Sequence, residues 1–210
     1  MTPEPAPARI GIFGGTFDPV HAGHLHIADR LREALALDRV IWIPAGRPPH
    51  KRGQIVSDDR DRLAMLRLAL ADSPADIIST VEIDRAGPSY TADTLEQLQR
   101  ELAPASLVFL IGEDSLRDFP TWRDPDRILR AAELAVAGRP GIDVDVAGLV
   151  RALPALHGRL TIVPMEEMPI SSSEIRRRVA EGSPIDHLVP AAVADYIACK
   201  GLYRQEAPDL

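Results

Sequence analysis

Arg9-Ile-Gly-Ile-Phe-Gly-Gly-Thr-Phe-Asp-Pro-Val-His-Ala-Gly-His24 decides how the rest of this 210-residue chain is read. Ile10, Ile12 and Phe13 form the apolar run of a strand covered on both faces. Gly14 and Gly15 end that strand and let the backbone approach a ligand closely. Asp18-Pro19 reads as a cap followed by proline at a first helical position, so a helix is expected to begin between Asp18 and Ala22. His21 and His24, three residues apart, then share one face of its first turn. Free amides, the positive end of a helix dipole and two imidazoles converge there, which makes an anion site with chemistry attached. The spacing is neither the dinucleotide G-x-G-x-x-G nor a Walker A loop.

Outward from this stretch, Leu25, Ala28, Leu31 and Leu35 mark a helix to about Leu37, and Val40 to Ile43 a buried strand. Strand, helix and strand at this spacing form a parallel crossover, right-handed by default. A proline-broken loop follows, carrying Arg47, His50, Lys51 and Arg52 where ligands of open α/β sheets bind. Ser57 with Asp58 and Asp59 opens the next helix, marked by Leu63, Leu66 and Leu70, and Ile77 to Ile83 reads as a third strand. Ser89 or Thr91 is the expected cap of a helix through Leu95, Leu98 and Leu102. Leu107 to Ile111 is the most strand-like run, ending at Gly112-Glu-Asp114, with Trp122 in a loop beyond it. Residues 126–132 read as helix and 134–136 as a short strand. Asp143 to Leu156 is weakly helical, and Leu160 to Val163 is the last strand. Ser171, Ser172 and Ser173 open another helix, with Arg176 one turn on, a combination suited to phosphate. Pro190 to Ala198 closes the chain as a helix.

The composition sets limits. A net charge of −7 argues against nonspecific nucleic-acid binding, and 45% hydrophobic residues suffice for one sizeable core. No apolar run reaches the length of a membrane span. The lone Cys199 suggests a reducing, cytoplasmic setting and reads as a small core residue. One domain over 9–204 is expected, with loose tails at 1–8 and 205–210.

Gly14-Gly-Thr-Phe-Asp-Pro-x-His21-x-Gly-His24 resembles the signature of nucleotidyltransferases with an (H/T)-x-G-H motif, most of all bacterial nicotinate mononucleotide adenylyltransferases. Ile170-Ser-Ser-Ser-Glu-Ile-Arg176 resembles the family's Ile-Ser-Ser-Thr-x-Ile-Arg, with Ser173 in place of threonine. The resemblance implies an α/β, Rossmann-like doubly wound parallel sheet with helices on both faces. It implies adenylyl transfer from ATP to nicotinate mononucleotide, a step of NAD biosynthesis, with Mg2+ held by phosphates and water rather than by protein ligands. By the same resemblance His21, His24, Arg176 and Lys51 are the catalytic candidates. Gly14, Gly15, Thr16, Phe17, Gly112, Asp114, Ile170, Ser171 and Ser172 join the histidines and Arg176 on ATP. Tyr90, Thr91, Trp122 and His50 fall to the pyridine nucleotide, with Asp93 structural. A homo-oligomer stays open, as do nicotinamide mononucleotide, phosphopantetheine or cytidylyl transfer, and a nucleotide sensor without catalysis.

Overall fold

The computed structural model describes residues 7–46, 57–138, 144–166 and 168–204. Its centre is a six-stranded sheet in the order β3-β2-β1-β4-β5-β6, with every pairing parallel. In chain order the elements are β1 (Arg9–Gly15), α1 (Ala22–Ala34), β2 (Arg39–Pro44), α2 (Asp59–Ala69), β3 (Asp76–Ile78), α3 (Thr91–Glu101) and β4 (Ser106–Gly112). They continue with α4 (Glu113–Asp118), α5 (Pro125–Ala131), β5 (Glu133–Gly138), α6 (Val146–Ala152), β6 (Leu160–Pro164), α7 (Ser172–Ala180) and α8 (Ala191–Lys200).

Period-two alternation along the central strands divides the interior into two cores. Ile10 and Ile12 of β1, Ile41 and Ile43 of β2, and Phe109 and Ile111 of β4 pack under Leu95, Leu98, Ile128 and Leu129 of α3 and α5. Phe13, Val40, Trp42 and Leu110 point to the other face, under Leu31, Met65, Leu66, Ile175, Val193 and Ile197. Burying both faces of each strand explains the near-continuous apolar runs at 40–43 and 107–111. Successive strands are added outward on one side of β1 (β2, β3) and then, from β4, on the other (β5, β6), so the winding order reverses between β1 and β4. The carboxyl ends of these two strands, Gly14-Gly15 and Gly112, therefore border the crevice in which doubly wound sheets bind ligands.

Several expectations need correction. α1 begins at Ala22, the far end of the expected interval, and is capped by His21, so Asp18 is no helix cap. The Asp18 carboxylate is instead buried, accepting from the Ser57 amide at 3.2 Å and the Tyr203 hydroxyl at 2.7 Å. Within the expected Ser57–Asp58–Asp59 start of α2, the cap is Asp58, whose carboxylate accepts from the Arg60 amide at 2.8 Å. Its inner face holds Arg62 and Met65 as well as Leu66, with Leu63 only half-buried. The third strand stops at Ile78. Beyond it the chain turns, closed by the Thr80 hydroxyl donating to Asp84 at 2.6 Å and the Asp84 amide to the Thr80 carbonyl at 2.9 Å. α3 is capped by Tyr90, and neither Ser89 nor Thr91 takes that position. Cys199 lies on the exposed side of α8, so it is no core residue.

Candidate active site

The glycine turn after β1 sets the geometry. Phe17 adopts a left-handed φ of 51° and buries its ring against Phe13, Trp42 and His24. Gly15 must lack a side chain, since a Cβ there would lie 2.8 Å from the Phe17 ring. The chain then reaches His21 in extended backbone and enters α1. His21 and His24 stack with ring centroids 3.7 Å apart, and His24 Nδ1 accepts from the His21 amide at 3.3 Å. Gly23 makes room for this pair, because a Cβ at that position would sit 3.1 Å from His21 Nδ1. His21 is buried, and burial lowers its pKa to about 4. Its Nδ1 is buried without a hydrogen-bond partner. A neutral, under-satisfied imidazole in a cleft is a costly arrangement, and such arrangements concentrate at functional sites.

The serine–arginine motif docks onto this turn from more than 150 residues away. Ser171 caps α7 by accepting from the Glu174 amide at 3.2 Å. The Ser172 hydroxyl donates to the Pro19 carbonyl at 2.9 Å, and Arg176 Nη1 donates to the Asp18 carbonyl at 2.7 Å. Arg176 Nη2 also donates to Ser173 at 3.2 Å, which orients the guanidinium. The two motifs therefore share one wall.

Two cavities border residues flanking this contact, although His24, Ser171, Ser172 and Arg176 line neither of them. One is bordered by His21, His26, Gly112, Asp114, Met165 and Ile170. The other is bordered by Gly14, Gly15, Thr16, Tyr90, Thr91 and Trp122. Ser115, on α4, faces both. Trp122 leans on Phe109 and Phe119 and leaves part of its ring in the second cavity. Glu82 forms part of that cavity's floor, where burial raises its carboxyl pKa and the Thr94 hydroxyl donates to it at 2.9 Å.

The structure thus groups Gly112, Asp114 and Ile170 with His21, and Tyr90, Thr91 and Trp122 with the glycine turn. Gly14, Gly15 and Thr16 line the second cavity and not the first. The Phe17 side chain belongs to the core. Asp93 accepts from Arg127 at 2.8 Å and is committed to that ion pair. Lys51 and His50, with Arg47 and Arg52, lie outside the described residues. Among the described residues, no three His, Cys, Asp or Glu side chains gather to hold a metal ion.

Arg62 was not anticipated from the sequence. It is 1% exposed and donates to the carbonyls of Thr16 and Ala45, each at 2.7 Å, and of Ser57 at 3.3 Å, while also contacting Asp59. One guanidinium thereby ties the turn after β1 to the turn after β2. The available signal was a basic residue beside the leucines on the inward side of α2.

The cytidylyltransferase-like family model matches residues 12–178. A protein of Thermomicrobium roseum named "Probable nicotinate-nucleotide adenylyltransferase" is 53% identical over 94% of this chain and 92% of its own length. The chain belongs to the nicotinate-nucleotide adenylyltransferase family. A second member, from a Roseiflexus species, is 49% identical over 94% of this chain and 98% of its own. The fold is likewise that of the Plasmodium falciparum nicotinic acid mononucleotide adenylyltransferase complexed with NaAD. That structure shares 18% identity and superposes with a TM-score of 0.78, covering 93% of this chain and 97% of the other. No helix among the described residues is long and apolar enough to cross a membrane.

Proposed function

We propose that the protein transfers the adenylyl group of ATP to nicotinate mononucleotide, giving nicotinate adenine dinucleotide and pyrophosphate, a step of NAD biosynthesis. One observation carries this reading: two motifs remote in sequence are hydrogen-bonded at Asp18–Pro19, and residues flanking that contact, His21 and Ile170 in one case and Gly14 to Thr16 in the other, line two cavities that share Ser115. Two substrates can then lie end to end with their phosphates at the junction. Adenosine takes the cavity of Gly112, Asp114 and Ile170, and the pyridine nucleotide takes that of Tyr90, Thr91 and Trp122.

A phosphate oxygen of the mononucleotide attacks the α-phosphorus in line. The bond from that phosphorus to the bridging oxygen breaks, and pyrophosphate leaves with the electron pair. The nucleophile is already an anion, so no general base is required, and catalysis reduces to positioning and charge neutralisation. Arg176 and the amides of residues 15–17 offset the repulsion between the two anions, His21 (as a neutral imidazole) and His24 add hydrogen bonds, and Lys51 is a helper. Ser171 and Ser172 hold the phosphate end of ATP. His50 assists the pyridine nucleotide. With no cluster of carboxylates or imidazoles among the described residues to hold a divalent ion, such an ion would be held by the phosphates and water. Mg2+ in that place supplies further neutralisation of phosphate charge. ATP and nicotinate mononucleotide are the partners, in the cytoplasm, with neither nucleic acid nor membrane taking part.

The test offers ATP and Mg2+ with nicotinate mononucleotide, nicotinamide mononucleotide or phosphopantetheine and measures pyrophosphate. Release with nicotinate mononucleotide is expected. Release only with phosphopantetheine, or with no acceptor, overturns the proposal.

A further inference from the structure

Arg123 follows Trp122 at the mouth of the second cavity, and nothing above gives it a task. It is the only cation among the described residues lining that cavity, and Glu82 is the only carboxylate. Its guanidinium carbon lies 4.1 Å from the centre of the Tyr90 ring, a cation–π contact that holds the charge over the cavity. Asp124 lies 3.7 Å from Arg123 Nε, but Asp124 also pairs with Arg127 Nη1 at 3.3 Å. Arg127 in turn grips Asp93 and Glu96 of α3 at 2.8 and 2.7 Å, which fastens the 122–124 turn to the helix that starts beside Tyr90. The Arg123 side chain stays 59% exposed and keeps most of its donor capacity for a ligand.

The chemistry of the acceptor makes this placement informative. A pyridine carboxylate and a pyridine carboxamide have nearly the same shape, and each offers a carbonyl oxygen to a backbone amide. A backbone amide alone separates them poorly. A guanidinium separates them by charge and meets a planar carboxylate as a fork.

We propose that Arg123 is a specificity residue: its guanidinium pairs with the carboxylate of the nicotinate ring and sets the preference for the acid over the amide. This rests on the nicotinate mononucleotide reading given above. The pair forms at a partly solvated rim, so it is worth less than a buried one. Its loss is expected to cost roughly 10-fold in affinity for the acid.

Pyrophosphate release is measured with each mononucleotide separately for the unaltered protein, Arg123→Gln and Arg123→Lys, with melting temperatures as a check on folding. Arg123→Gln raises KM for nicotinate mononucleotide roughly 10-fold, and the acid-to-amide ratio of kcat/KM falls by a similar factor. Arg123→Lys falls between the two. Raising salt from about 0.05 to about 0.5 M narrows the ratio of the unaltered protein and leaves that of Arg123→Gln flat. An unchanged ratio, or an equal loss with both acceptors, overturns the role of Arg123. No release by the unaltered protein with either mononucleotide overturns the underlying reading instead.

Discussion

Replacing Arg62 with methionine removes a buried guanidinium while keeping a flexible apolar stem of similar reach. Three carbonyls, at Thr16, Ala45 and Ser57, lose their donor in a part of the molecule where Arg62 is 1% exposed. An unsatisfied buried group costs roughly 1–3 kcal/mol, and relaxation recovers part of the sum, so a net loss of about 3–6 kcal/mol is expected. For a chain of this length that lowers Tm by roughly 6–24 °C. Circular dichroism melts of Arg62→Met, Arg62→Lys and the control Arg67→Met measure it. Arg67 is exposed on the same helix and its loss is expected to stay within about 0.5 kcal/mol. Arg62→Lys is intermediate, because an ammonium cannot span three acceptors set in a fork. Well below its Tm, Arg62→Met also loses turnover, since the turns after β1 and β2 drift apart by fractions of an ångström. A Tm within about 2 °C of the unaltered protein would refute the reasoning.

His24→Ala lowers turnover by ~10²–10³ with a much smaller change in substrate KM, as steady-state kinetics will show. Gly23→Ala gains helix propensity yet pushes a methyl to 3.1 Å from His21 Nδ1. Its melting temperature is therefore expected to hold while turnover falls roughly 10-fold. His21 has a folded pKa of about 4 against an ordinary value of 6.5, so the unfolded chain binds the proton first as pH falls. Its stabilising contribution is complete above pH 6.5 and is lost between there and pH 4, amounting to roughly 3 kcal/mol. Denaturant titrations across that range should show a shallower acid limb for His21→Asn, and identical limbs would contradict the assignment.

Much of this was legible in the sequence because the signals are local. A strand buried on both faces must be apolar along its length, and a helix that meets an anion must expose amides and donors in its first turn. The runs at 40–43 and 107–111, the paired histidines and the serine cap of α7 all follow from such rules. What escaped was decided at long range. Asp18 has the composition of a cap, yet its carboxylate is claimed by partners 39 and 185 residues away. The β-branched run after Ile78 looks like strand. Its chain turns instead, bringing the Glu82 carbonyl against Gly46 so closely that a Cβ on Gly46 would lie 2.1 Å from it. Arg62 hid because a leucine stripe draws the eye past a charge, although a basic side chain on an inward face must find acceptors. The basic loop carrying Lys51 and His50 lies outside the described residues, so its candidate roles remain proposals.

The hydrogen bond from Tyr203 to Asp18 joins nearly the whole length of the polypeptide. During synthesis, every element of the sheet has emerged before the phenol that completes this carboxylate's shell exists. Nascent or proteolytically shortened chains lacking that ring retain both motifs but not the clasp that steadies the turn between them. Fragments that still fold but end before Tyr203 are therefore expected to be poor at consuming ATP.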